Sequence, residues 1–525
     1  MTDVFIVISY ILFFAALLAN FVLNYIRYMH MFQLNSYHAS EQSKWLGGNI
    51  GEIVKRHFCA LMILVLMIIF AFHSMTGLLS SAAVLIVFSL FSLPKKAKKK
   101  LVFTPRVIRM CVTSTLLYAC VVVCTFIIGY YFPVVPIIVY PCVQLLAIAM
   151  PMLANLVNKP IEALINKHYI DDAKRIINEL PNLTVIGITG SYGKTSTKFY
   201  LNKLLSAKYN VLMTPESYNT TMGVVKTVRG SLNATHEIFI CEMGAKGVGE
   251  IKEICDIVKP KHSMITSIGA QHLETFKSID NIIKTKFEIA DCISDGMVFL
   301  NFDNEYIRNR KIDKNVVSYG FSSEFEYYAD SISVTSKGTS FTVHHGNEES
   351  AEFSTKLIGE HNVQNIVGAI AVANKLGISL NELKTPVRRL EAVPHRMQII
   401  DRGASVIIDD AFNSNPSGAK AALDTLALMD GYKILVSPGM VELGEQEYQL
   451  NKAFGVQAAA VCDYVIAVGE KQAVPIVDGL KEAGYSEEKT YVAHSLNDAL
   501  AKTDTLKTGG LKKIILLEND LPDNY

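Results

Sequence analysis

TVIGITGSYGKTST, residues 184–197, is an apolar run that breaks into a glycine-rich turn ending in Gly193-Lys194-Thr195. A turn of this kind aims backbone N–H groups at a polyphosphate, brings a lysine to the outer phosphates and leaves a hydroxyl for Mg²⁺ at a helix N-terminus. It predicts a nucleotide loop between a strand and a helix. Its first glycine is Gly190, and Ile188 stands where the commonest form of the loop carries glycine.

Downstream, strand-like runs at Val185–Thr189, Ile238–Cys241, Ser263–Ile268 and Gly296–Asn301 alternate with helical stretches, a pattern that predicts a parallel sheet covered by helices over 183–393. Tyr327–His345 alternates with a period of two and predicts a small antiparallel insertion. Further strands at Ser405–Asp409, Lys433–Ser437, Tyr464–Val468 and Lys513–Leu517, with helices at Ser417–Met429 and Gln446–Cys462, predict a separate Rossmann-like α/β domain over 394–525. It opens without a GxGxxG fingerprint, so no dinucleotide is assigned to it.

Upstream the composition changes. Val4–Ile26 is uncharged, apolar and of the length that crosses a bilayer core, about 20 residues. Phe58–Phe72, Thr76–Leu93, Met110–Phe132 and Val134–Val157 add further apolar runs, so residues 1–157 read as an α-helical membrane domain of about five spans, joined by a connecting helix over 158–182. The start, Met-Thr-Asp followed by large residues, is unlike a cleaved leader. Lys95, Lys96, Lys98, Lys99, Lys100, Arg106 and Arg109 cluster between the third and fourth runs, which places that loop in the cytoplasm of a multi-pass plasma-membrane protein, with the N-terminus outside and everything after Lys159 cytoplasmic. A net charge of +1 gives no reason to expect nucleic acid. The nine cysteines show no CxxC and no His cluster, and read as small apolar fillers.

Five polar clusters follow the loop. Glu242 ends an apolar strand in CEMG, where a carboxylate can hold Mg²⁺. SIGAQHLE presents His272, IKTKFEI carries Lys286 on a helix, GEHNVQN (359–365) precedes an Ala-rich helix, and IIDDAFNSNP (407–416) ends a strand in two Asp. A lone His is usually structural and a helical Lys usually solvated. In order, TGSYGKTS, EMGAKGVGEI, IGAQHLETF, the KFEI lysine, GEHNVQN, PHRM, DDAFNSNP and VELGE resemble the Mur ligases from about Leu183 to the C-terminus, most closely the branch that adds D-alanyl-D-alanine; the shifted loop spacing is that family's own.

The resemblance implies a central parallel-sheet ATPase domain, a C-terminal Rossmann-like domain and an ATP-dependent amide ligase working through an acyl phosphate on a peptidoglycan precursor, nucleotide- or lipid-linked, with an amino acid or dipeptide as the second substrate. It implies nucleotide contacts from Gly190, Ser191, Gly193, Lys194, Thr195 and Ser196. It implies Thr195 and Glu242 on one Mg²⁺, and His272 with a carbamylated Lys286 at a second. His361, Asn362 and Asn365 match positions near adenine, and Arg396, Asp410 and Asn413 match groups that reach the phosphates and ribose when the domains close.

The chain departs from the family in four places. Membrane spans replace the soluble uridine-nucleotide-binding domain. Lys246-Gly247 replaces an Asn-His pair, Asn451 stands where His is common after VELGE, and ILLENDLPDNY replaces a Lys-Gly-Ser-Arg turn. Two other readings stay open: a membrane-anchored poly-γ-glutamate or other amino-acid ligase, and a scaffold that only binds nucleotide.

Overall fold

The computed structural model describes residues 2–70, 74–93, 99–269, 273–412, 414–441 and 443–520. Lys95, Lys96, Lys98, His272, Asn413 and Glu442 lie outside the described residues. The chain divides into two compact units, one through Lys167 and the other from His168 to Asp520.

The first unit is helical: α1 (Thr2–Leu34), α2 (Ala39–Gly48), α3 (Ile50–Phe70), α4 (Met75–Phe91), α5 (Pro105–Tyr131) and α6 (Val134–Asn178). Four of them, α1, α3, α5 and α6, are long and apolar enough to cross a membrane, whereas α4 has 17 residues and falls just short. Phe21, Tyr28, Phe32, Met110, Val143 and Met150 form one interior cluster, and Phe13, Leu17, Ile63, Leu78 and Tyr140 another. The outward faces are apolar too: Leu116, Ile127, Ile68 and Leu164 are each more than half exposed. In water such a surface far exceeds what a soluble domain shows; in lipid it is the ordinary solvent-facing side.

The sequence reading separates a last span at Val134–Val157 from a connecting helix; the structure joins them as one 45-residue helix. Pro141, Pro151 and Pro160 lie inside it, as apolar helices with packed neighbours tolerate. It likewise extends the second run upstream to Ile50 and adds α2, which its polar ASEQSKWLGG sequence had left unassigned.

In the second unit, β1 (Thr184–Thr189), α7 (Lys194–Leu205), β2 (Val211–Met213), α8 (Thr221–Ser231), β3 (Ile238–Glu242), α9 (Glu250–Val258), β4 (His262–Ile265), α10 (Leu273–Phe276), α11 (Ile279–Asp291), β5 (Met297–Asn301), α12 (Glu305–Arg308) and β6 (Asn315–Gly320) alternate. There follow β7 (Tyr327–Thr335), β8 (Gly338–His345), β9 (Glu349–Thr355), α13 (Glu360–Lys375) and α14 (Leu380–Arg388). The strand order is β2-β3-β1-β4-β5-β6-β7-β8-β9; β2 through β7 pair in parallel, and β7-β8-β9 form an antiparallel extension. Alternate residues feed two cores. Ile186, Ile188, Ile240 and Phe299 pack under α7 and α13, while Val185, Phe239, Cys241 and Leu300 pack under α8, α9 and α11, as a parallel sheet buried on both faces requires.

The remaining elements are β10 (Gln398–Asp401), β11 (Ser405–Asp410), α15 (Pro416–Ala427), β12 (Tyr432–Ser437), α16 (Glu447–Val461), β13 (Tyr464–Val468), α17 (Glu470–Glu482), β14 (Thr490–Ala493), α18 (Leu496–Thr505) and β15 (Lys513–Glu518). They build a six-stranded sheet, β10-β11-β15-β12-β13-β14, parallel except for β10. The chain leaves β1 toward β2 and β3 on one side and resumes at β4 on the other, so the carboxyl end of β1 is a crevice where ligands bind in doubly wound sheets.

Candidate active site

The loop after β1 is held from below by the loop that follows β4. Ser191 N–H donates to the Ser267 carbonyl (2.7 Å), Tyr192 N–H to Ser267 Oγ (2.9 Å) and Ser191 Oγ to the Gly269 carbonyl (3.1 Å). Gly190 has φ +154°, and a Cβ there would sit 2.1 Å from Thr266 Oγ1; Gly193, the N-cap of α7, has φ +78°, and its Cβ would meet Asn365 Oδ1 at 2.5 Å. Both positions need glycine for space as well as for conformation.

Lys194 folds back over the loop, its Nζ donating to the Gly190 carbonyl (2.7 Å) and the Ser191 carbonyl (3.1 Å). Burial pushes its ammonium down to about 8; Glu242 opposes that shift and Arg396 adds to it. Thr195 Oγ1 donates to Glu242 Oε1 (3.1 Å), which also accepts from Asn219 Nδ2 (3.0 Å), and the Glu242 N–H donates to Thr214 Oγ1 (3.1 Å). Glu242 Oε2 lies 2.9 Å from Lys198 Nζ without a directed hydrogen bond, and both side chains are almost wholly buried. Burial alone would raise the Glu242 carboxyl, but Lys198, Lys194 and the hydrogen bonds outweigh it and hold the group ionised. A hydroxyl, a carboxylate and two lysines thus converge at the N-terminus of α7, the donor set of a hydrated divalent ion and a phosphate.

Lys286 on α11 is 3% exposed and makes no hydrogen bond or ion pair among the described residues. Burial, then the charge of Lys194, pushes its amine down to about 7. On α13, Asn365 Oδ1 accepts from Thr197 Oγ1 (3.2 Å) and Asn362 Oδ1 from Tyr200 hydroxyl (2.8 Å), tying GEHNVQN to the helix that follows the phosphate loop. His361 is pushed down to about 4 by burial and is neutral at pH 7. Ser196 lies on α7 one residue after Thr195.

Arg396 stacks 4.4 Å over the Phe412 ring; its charge acts on Lys194 and the charge of Glu242 acts on it, so it belongs to the same electrostatic cluster. Asp410 accepts from the Met397 N–H (3.1 Å) at the end of β11. The distances therefore bring Lys194, Thr195 and Glu242 together and tie Asn362 and Asn365 to α7. Three participants escaped the sequence reading: Lys198, Asn219 and Glu518. The i,i+4 spacing from Lys194 could have flagged Lys198; the other two are distant in sequence.

Residues 188–373 match the Mur ligase middle domain, and residues 395–517 match the Mur ligase glutamate ligase domain. The UDP-N-acetylmuramoyl-tripeptide–D-alanyl-D-alanine ligase of Bacillus subtilis is 32% identical over 327 residues, 61% of this chain and 69% of that protein. The same-named Escherichia coli enzyme is 30% identical, over 63% of this chain and 76% of that protein. The chain belongs to the Mur ligase family. MurF from Acinetobacter baumannii superposes with a TM-score of 0.61 at 26% identity, covering 69% of this chain and 78% of that one. As a Mur ligase the chain is an ATP-dependent enzyme that forms an amide bond, and its helical first unit stands in place of the usual N-terminal domain.

Two departures of this Mur ligase have a structural account. Asn451 is buried, accepting from the Met440 N–H (2.7 Å) and donating to the Met440 carbonyl (2.8 Å), so it closes the turn before VELGE. In ILLENDLPDNY, Glu518 pairs in register with Asp410 and is 1% exposed, with Ser414 Oγ 2.5 Å from its Oε1. Burial, then the Asp410 charge, pushes Glu518 well above the ordinary range, and burial lifts Asp410 to about 6.

Because these carboxyls are raised on folding, the native state binds a proton that the unfolded chain releases above about pH 4.5, and stability falls as pH rises from there through the folded values, by up to about 1.4 kcal/mol per pH unit for one proton. Glu518→Gln mimics the protonated form and removes the share of that dependence that Glu518 contributes. Thermal melts at pH 5 and pH 8 are expected to show the wild type losing more stability between them than the variant.

Proposed function

We propose that this Mur ligase joins D-alanyl-D-alanine, or a closely similar amino acid or dipeptide, to the free carboxylate of a peptidoglycan precursor presented at the cytoplasmic face of the plasma membrane, and that the precursor is lipid-linked. The observation that carries the reading is the convergence of Lys194, Thr195 and Glu242 at the N-terminus of α7, in a chain whose first unit is built of apolar, outward-exposed helices.

In this reading the acceptor carboxylate attacks the γ-phosphorus of ATP, ADP leaves, the incoming amine attacks the acyl carbon, and inorganic phosphate departs. Lys194 and the loop N–H groups neutralise charge on the transferring phosphoryl group. Arg396 and Asp410 bind the nucleotide from the C-terminal domain together with Asn413, and His361, Asn362 and Asn365 border the adenine. Glu242 and Thr195, a buried carboxylate and a hydroxyl, would hold Mg²⁺, which would supply charge neutralisation for the phosphates. Lys286, as a carbamate, would hold a second Mg²⁺ with His272; a buried amine beside the Phe276 ring (5.9 Å), with no hydrogen bond or ion pair among the described residues and shifted toward neutrality, suits reaction with carbon dioxide. The five lysines between 95 and 100, ahead of α5, with Arg106 and Arg109 in its first turns, support the cytoplasmic orientation.

Full-length protein supplied with ATP, D-alanyl-D-alanine and either a lipid-linked or a uridine-nucleotide-linked tripeptide precursor tests it. Phosphate release with a dipeptide mass added to the lipid-linked precursor is the expected result. Addition only to the nucleotide form overturns the lipid-linked acceptor, and a glutamate polymer with the precursor unchanged overturns the wall reading.

A further inference from the structure

The first unit contains a half-open cavity of about 710 Å³ where α5 begins and the apolar part of α6 ends. Its walls are of two kinds. Ala149, Met152, Leu153 and Leu156 come from the last apolar turns of α6, and Leu153 and Leu156 continue onto the exposed apolar surface at 43% and 66% exposure. Arg106, Lys159 and His38 supply the polar end. The apolar stretch from Val134 to Val157 is about 36 Å long at 1.5 Å per residue, so Lys159 lies where hydrocarbon gives way to headgroups.

Among the described residues, the cations at that end lack a counter-charge. Glu162, the acid in the lining, is taken by Arg109 through a two-pronged pair, Nε to Oε1 at 2.6 Å and Nη2 to Oε2 at 2.8 Å. Arg106 bonds instead to a neutral group, Nη2 to Asn155 Oδ1 at 3.0 Å, and lies 4.0 Å over the Tyr37 ring, while its Nε is buried with no hydrogen-bond partner. Lys159 makes no ion pair among the described residues. A guanidinium fixed by stacking, with a buried N–H left over and no carboxylate paired with it among the described residues, is arranged for an oxyanion from outside the protein. An oxyanion site whose other wall is apolar and open to the lipid side fits an amphiphile better than a free ion.

We propose that this cavity binds the phosphate of a membrane lipid, with Arg106 and Lys159 on the phosphate and the Met152–Leu156 face of α6 along the start of the tail. Two lipids carry this chemistry, an anionic phospholipid of the bilayer and a polyprenyl phosphate that bears the precursor. The site rests on the lipid-linked reading above only in making the second of these the acceptor's carrier.

Full-length protein in a neutral detergent is titrated with a fluorescent polyprenyl monophosphate, then challenged with phosphatidylglycerol, phosphatidylcholine and inorganic phosphate. Saturable binding, displaced by phosphatidylglycerol but not by phosphatidylcholine or inorganic phosphate, is expected; the tighter of the two anionic lipids identifies the source. Arg106→Gln with Lys159→Gln should weaken the probe by tenfold or more. Leu153→Trp, which fills the apolar wall and keeps both cations, should weaken it independently of any folding defect in the first variant. Equal displacement by phosphatidylcholine, displacement by inorganic phosphate, or unchanged binding in both variants overturns the site. ATP turnover with the lipid-linked tripeptide precursor is read in parallel, so its absence alongside intact lipid binding counts against the ligase reading and leaves the cavity assignment standing.

Discussion

Lys194→Ala is expected to abolish ATP turnover, lowering kcat at least 10²–10³-fold, about 3–4 kcal/mol of transition-state stabilisation. The reason lies in how the side chain is held. Its Nζ is already anchored on two loop carbonyls, Gly190 and Ser191, so the ammonium is positioned before nucleotide arrives and little reorganisation accompanies phosphoryl transfer. No substitute stands ready, because Lys198, one turn further along α7, is committed to Glu242 and to the Glu216 carbonyl (2.5 Å). The two freed carbonyls border the nucleotide crevice and can be hydrated, so the melting temperature should change little. Phosphate release and a thermal melt on the same preparation check both halves; a variant that turns over ATP at a tenth of the wild-type rate or better removes Lys194 from the phosphoryl site.

Lys286→Ala is expected to be nearly as damaging, with partial recovery on adding short carboxylates such as formate or acetate. A carbamate forms when the neutral amine attacks carbon dioxide and releases a proton, so its occupancy depends on the fraction of neutral amine. With the amine pushed down to about 7 by burial, that fraction is large at pH 8 and small at pH 6. Wild-type turnover in degassed buffer should therefore be lower at pH 6 than at pH 8, and bicarbonate should restore it more effectively at pH 8. Activity in Lys286→Ala equal to wild type, or insensitivity of the wild type to carbon dioxide across this range, sinks the carbamate.

What the sequence disclosed and what it withheld divide along chain distance. The phosphate loop was legible because its parts are contiguous: strand, two glycines needing special space, Lys194 and the start of α7 lie within 184–197. The alternating elements around it were legible for the same reason, since burial on both faces leaves continuous apolar runs such as IFIC and MVFLN. The Asp410–Glu518 pair could not be read, because it exists only through the parallel register of β11 with β15. Nor could Asn219 on Glu242, which depends on the loop after β2 folding across the end of β3. Helix α6 was divided in the reading because composition changes at Lys159, while the backbone conformation does not. Lys286 was the hardest case: a lysine in a helix reads as solvated, and its 3% exposure follows from how α11 packs.

The buried contact between Lys198 and Glu242 bears on the life of the enzyme in the cell. A carboxylate sunk at the end of a strand would be intolerable without a positive neighbour, and here the chain provides one in the ammonium of Lys198 on α7, 2.9 Å away. Maturation of the ligase part is thereby uncoupled from the supply of divalent ions, unlike small domains that fold only around their metal. A shortage of magnesium would idle the enzyme in an intact, protease-resistant form, ready to resume when the ion returns.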